Sequence, residues 1–181
     1  MRENSRSCLC EIAKTVGPQL LYAMIMELKF HLRDNFERHV LNFTIYRLLD
    51  NLSVKWGELD YCLPLILPTV IDEVFGQSSE EKEMVSKGEV PTLKQEAKKR
   101  KGLDLLQLLC RNVTHNRLPF IIEFLEKYLR DHLNTETNLG KYDLMLGCIN
   151  AGLGHNHSLL SSDHAHVLLE ILSQPIESLQ N

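Results

Sequence analysis

Apolar residues recur at helical spacing along almost the whole of this 181-residue chain, and no segment shows the period-two alternation of a half-buried strand. Leu9, Ile12, Ala13 and Val16 make a first stripe, which Gly17-Pro18 stops. Pro18 can open the next helix, because its missing N–H falls where a helix has no partner for it. Leu20, Leu21, Met24, Ile25, Leu28 and Leu32 make the second stripe, and Leu41, Ile45, Leu48, Leu49 and Leu52 the third. A fourth helix is expected from Leu59 to Phe75, after the Trp56-Gly57 break. Pro64 and Pro68 inside it predict a kink or an interruption, since interior proline removes a backbone bond and crowds the preceding turn.

Beyond Gly76 the pattern lapses. Residues 77–101 hold few apolar side chains, with Gly88 and Pro91 in the middle, and read as a charged loop or mobile insertion. Helical spacing returns with Leu105, Leu106, Leu109, Cys110 and Val113. It continues through Leu118, Ile121, Ile122, Leu125, Tyr128 and Leu129, then from Tyr142 to Ala151. Gly152-Leu153-Gly154 breaks that helix, and Ser162 or Asp163 can cap a last one ending near Leu172.

Pairing these segments gives helical hairpins that begin near residues 3, 36, 102 and 141. Repeats of this size built from two helices are a mark of HEAT-like solenoids. The fold class expected is therefore all-α: a HEAT-like α-solenoid of about four antiparallel helix pairs with a charged insertion. Residues 1–76 would hold the first two pairs, 77–101 the insertion, and 102–181 the last two pairs. Neither end carries a polar capping helix, so the chain reads as a piece of a longer array, or a short product of one.

Composition supports a folded chain, at 44% hydrophobic and 24% charged residues. The longest apolar stretch, Leu63 to Ile71, is far short of the roughly 20 residues that span a bilayer. The N-terminus leads straight into a patterned helix without an apolar signal core. A net charge of −4 argues against a protein that coats nucleic acid over its whole surface, though not against a local basic patch. The five cysteines are odd in number and mostly embedded in apolar patterns, as reduced core residues would be. Cys8 and Cys10 diverge by about 200° on a helix, so one can face a core while the other cannot.

The motifs of catalysis are missing: no phosphate-binding glycine loop, no H-E-x-x-H and no G-x-S-x-G. His155, His157, His164 and His166 gather near a turn, but His164 and His166 would point to different sides of a helix. Turn and cap residues are the plain reading, with a zinc site the alternative. The carboxylates at Asp72/Glu73 and at Glu80, Glu81 and Glu83 sit at a helix end or in the loop. Nothing there suggests the apolar pocket that would make an acid/base pair. No catalytic residue, cofactor, metal or small-molecule substrate is expected.

The strongest local signal is Lys98-Lys99-Arg100-Lys101. Residues 77–101 hold seven basic and five acidic side chains, the bases toward the end. Such a run is a solvated linker, a nuclear-localisation signal or a phosphate-contacting loop. Few aromatics accompany it, so base stacking is not indicated.

Two stretches resemble one family. The first is Arg38-His39-Val40-Leu41-Asn42-Phe43-Thr44-Ile45-Tyr46-Arg47-Leu48-Leu49. The second runs Asp72-Glu73-Val74-Phe75-Gly76-Gln77-Ser78-Ser79-Glu80-Glu81-Lys82-Glu83, with Lys94-Gln95-Glu96-Ala97-Lys98 downstream. Together they are similar to the very large HEAT-repeat proteins associated with the U3 small nucleolar ribonucleoprotein, the down-regulated-in-metastasis family of the small-subunit processome. Members often have Gly-Tyr-Gln before the His-Val-Leu and Glu after the Phe-Gly, where this chain has Phe36-Glu37-Arg38 and Gln77.

The resemblance implies a nucleolar, non-catalytic scaffold in small-subunit ribosome biogenesis. Its partners would be pre-ribosomal proteins and RNA, namely the U3 particle and pre-ribosomal RNA, with no membrane. Lys94, Lys98, Lys99, Arg100 and Lys101 are the residues expected to contact RNA or a partner, or to direct nuclear entry. The alternative is a HEAT adaptor that binds only protein.

Overall fold

The turn glycines Gly17 and Gly57 hold φ of 84° and 83°, a left-handed conformation that side chains with a Cβ adopt at a cost. Each precedes a single 3-10 turn, Pro18–Leu20 after the first and Asp60–Cys62 after the second. A third 3-10 turn, His115–Arg117, follows the helix Gly102–Asn112, with no such glycine before it. Short 3-10 turns thus recur between helices among the described residues.

In the computed structural model the described residues are 2–32, 37–52, 55, 57–74, 101–117, 119–121, 123–124, 146–147 and 149–151. They form α1 (Arg2–Val16), α2 (Leu21–His31), α3 (Glu37–Leu52), α4 (Leu63–Val74) and α5 (Gly102–Asn112). Residues 119–121, 123–124, 146–147 and 149–151 are also helical, and no strand occurs among the described residues. The expected charged segment, apart from Lys101, lies outside them, as do the histidines from His155 to His166 and the helix expected near Leu172.

Helices pack on their counterparts one pair further on: α1 on α3, α2 on α4, and α3 on α5. Contacts of α3 with α4, and of α4 with α5, complete the stack. This all-α, solenoid-like arrangement is the one expected from the helical periods. Its core joins Leu21 and Ile25 of α2, Ile45 and Leu49 of α3, Ile66 and Val70 of α4, and Leu105 and Leu109 of α5. A smaller cluster of Cys10, Ala13 and Leu48 seals α1 to α3.

Three details differ from the sequence reading. Ile12 is 47% exposed, whereas Cys10 and Ala13 are buried. The face of α1 that meets α3 centres on those small residues and on Arg6, which stacks on Phe43 and donates to Thr44 Oγ1. Leu20, assigned to the second stripe, is exposed in the 3-10 turn. The fourth helix begins only at Leu63 and runs to Val74 without interruption at Pro68. Pro64 falls in its first turn, where a missing N–H costs little. Lys29 Nζ of α2 donates at 2.9 Å to the carbonyl of Leu65, within the turn that Pro68 perturbs.

Gly57 N donates to Asn112 O, and Asp60 accepts from both the backbone N and the hydroxyl of Thr114. These bonds carry the stacking from helices to turns. Tyr61 stacks on Tyr22 and its hydroxyl donates to Pro18 O, linking the first turn to the second in the same way.

Candidate interaction site at the α3–α4–α5 junction

His39, Asn42 and Tyr46 lie three and four residues apart on α3, and so share one face of it. Thr69 and Glu73 share a face of α4 by the same spacing. Packing α3 on α4 brings the two sets together in a buried polar cluster. Glu73 Oε1 lies 2.9 Å from His39 Nδ1, and Glu73 Oε2 accepts from Asn42 Nδ2 at 3.2 Å. Asn42 Nδ2 also donates to Thr69 O at 2.7 Å, and Thr69 Oγ1 donates to Asn42 Oδ1 at 2.7 Å. A buried carboxylate is tolerated only when paired and hydrogen-bonded, and both oxygens of Glu73 have partners here.

The first turn of α5 closes the cluster. Gly102 is buried against Glu73, and a Cβ at this glycine would stand 2.5 Å from Glu73 Oε2. Glu73 thus meets α3 through both carboxylate oxygens and α5 through Oε2 and the side-chain carbons behind it. It does so at the point where the chain leaves α4 and returns into α5.

This overturns one expectation. Glu73 lies at a helix end as expected, but in a buried setting that the sequence reading does not suggest: it is 1% exposed, while its neighbour Asp72 is exposed. The clue available in the sequence was the i, i+4 pairing of Thr69 with Glu73 on the apolar side of α4.

Of the five basic residues singled out, Lys94, Lys98, Lys99 and Arg100 lie outside the described residues. Lys101 precedes α5 and is paired with Asp104, one turn on, with its ammonium 4.8 Å from the centroid of the Tyr46 ring. The hydrogen bond to Asp104 raises the Lys101 pKa above the ordinary lysine value, against a smaller opposing effect of burial. Lys29 moves the other way, lowered by burial.

Cys10 is buried and Cys8 exposed, as their divergence on a helix requires, and Cys62 and Cys110 are in the core. Burial pushes the Cys62 thiol up to about 11. Among the described residues no group of histidine, cysteine and carboxylate side chains could hold a metal ion. No described helix is long and apolar enough to cross a membrane.

Fold and junction together define the class: an all-α, solenoid-like stack of helix pairs, tied by a buried polar cluster at the base of a basic segment. The sequence profile of the U3 small nucleolar RNA-associated protein 20 domain matches residues 1–172, and the chain belongs to that family. Two curated relatives carry the same description, U3 small nucleolar RNA-associated protein 20. One, from Schizosaccharomyces pombe, is 26% identical over 159 residues, and the other, from Saccharomyces cerevisiae, is 25% identical over 158. Each alignment covers 86% of this chain and 6% of the relative, so the chain spans a small part of the length of the proteins it matches. His39, Asn42, Tyr46 and Glu73 all fall within the two stretches that carried the resemblance.

Proposed function

We propose that this chain is a non-catalytic scaffold segment acting in small ribosomal subunit biogenesis, in association with the U3 particle and pre-ribosomal RNA in the nucleolus. The observation that carries this reading is membership of the family along nearly the whole chain. The fold supports it, since a stack of helix pairs offers a long surface to partners. The basic residues Lys94, Lys98, Lys99, Arg100 and Lys101 together form the tract assigned to phosphate contact or nuclear entry, in a charged segment between the two helical parts.

The test is immunoprecipitation of the tagged chain from nuclear extract across a salt series, probing for U3 RNA. Recovery that falls with salt, and falls further when the five basic residues are replaced by glutamine, supports the proposal. Absence of U3 RNA at every salt concentration, with proteins still recovered, replaces it with the protein-only adaptor.

A further inference from the structure

Lys101 belongs to a run of four consecutive cations, yet its surroundings differ from those of a free phosphate contact. Its ammonium is paired with Asp104 and lies over the face of Tyr46, so two of its approaches are taken. Its side chain is 31% exposed, and the negative charges of Asp104 and Asp50 both act on it. A phosphate arriving there would have to displace one carboxylate and face the repulsion of both.

The backbone is held as firmly. Lys101 O accepts from Leu105 N at 2.8 Å, in the first turn of α5. The next residue, Gly102, is seated on Glu73, which is bonded to His39 and Asn42 of α3. Side chain and backbone at this position are therefore tied to α3 from two directions.

We propose that Lys101 is a positioning residue, an anchor that fixes the C-terminal end of the basic tract on Tyr46 and Asp104, and is not itself a phosphate contact. The inference rests on the proposed function for the ligand it presents, RNA phosphate, but the anchoring has a readout of its own. It divides the tract by role, leaving phosphate contact to the residues before Lys101.

Two measurements on the full chain test this. In the first, binding of a labelled oligouridylate is followed across a salt series. Losing one phosphate contact to single-stranded nucleic acid lowers the slope of log K against log salt by about 0.7. Lys99→Gln is expected to show that loss. Lys101→Gln is expected to keep the wild-type slope while weakening binding several-fold. Tyr46→Leu, which changes no charge, is expected to match it. A reduced slope in Lys101→Gln overturns the inference, and so does unchanged affinity with unchanged slope.

The second measurement is amine acylation of the free chain, read by peptide mass spectrometry. Lys101 is expected to react several-fold more slowly than Lys98 and Lys99, and Tyr46→Leu to accelerate Lys101 alone. Equal rates at the three lysines overturn the anchor whether or not RNA binds. Should the wild-type chain fail to bind the oligouridylate, the phosphate-contact reading of the tract falls and acylation alone decides the anchor.

Discussion

His39 Nδ1 and Glu73 Oε1, 34 residues apart in sequence, meet at 2.9 Å with both side chains almost wholly shielded from water. Burying a carboxylate and an imidazole together is no gain over burying two apolar groups, because desolvation offsets most of their attraction. What the pair supplies is a preferred register of α3 against α4, because Glu73 meets His39 and Asn42 together only when the two helices are aligned at that offset.

His39→Leu alone is therefore expected to destabilise the chain by about 3–5 kcal/mol, the range for removing one partner of a buried pair. The double variant His39→Leu/Glu73→Leu is expected to cost clearly less than the sum of the two single changes. Urea denaturation of the four proteins gives the coupling directly. Additive losses would show that the two side chains do not act as a pair.

Gly102→Ala reverses an ordinary rule. Replacing glycine by alanine within a helix usually stabilises it by up to about 1 kcal/mol. Here the new methyl would meet Glu73 Oε2 at 2.5 Å, a contact that cannot be kept. The expected outcome is destabilisation by about 1–3 kcal/mol, in the range of overpacking. In a Glu73→Ala background the same change is expected to become neutral or favourable, as thermal denaturation would show.

Cysteine accessibility reports how α1 is seated. Cys8 is exposed, whereas Cys10, Cys62 and Cys110 are buried. Brief alkylation of the native chain, read by peptide mapping, is expected to modify Cys8 well ahead of those three. Comparable labelling of Cys10 would mean that α1 does not rest on α3 through the Cys10–Ala13 face.

Alkaline pH is expected to weaken the fold through Cys62. Its thiol is raised from 9.0 to about 11, chiefly by burial, so above pH 9 the unfolded chain releases a proton that the folded chain retains. This contribution to stability is whole below pH 9 and is lost as pH climbs toward 11. Urea midpoints measured from pH 8 to 11 are expected to fall, and Cys62→Ala to flatten that fall while lowering stability at neutral pH. An identical slope in the variant would assign the alkaline loss to other groups.

The helices and their breaks were legible because the signals are local. Gly17 ends α1, Gly57 turns the chain between α3 and α4, and apolar spacing marks the core of α3, α4 and α5. The rotation of α1 was less so. Leu9, Ile12, Ala13 and Val16 fit a helical stripe as well as Cys10 and Ala13 do, and only the surface of α3 selects between them. Pro68 predicted a kink or break because interior proline removes a bond from its own helix, yet α4 runs through it from Leu63 to Val74.

Asp72 and Glu73 show where the sequence stops deciding. They are adjacent, of like charge, and at the same end of the same helix, yet one is exposed and the other buried. By itself the sequence determined an all-helical chain, the places where its helices stop, and the position of its basic tract, all consequences of residues within a turn or two of each other. The tertiary structure alone decided which polar groups enter the interior. The free energy of a buried carboxylate depends on donors such as His39 and Asn42 and on the space left at Gly102, and packing is what brings those distant residues together.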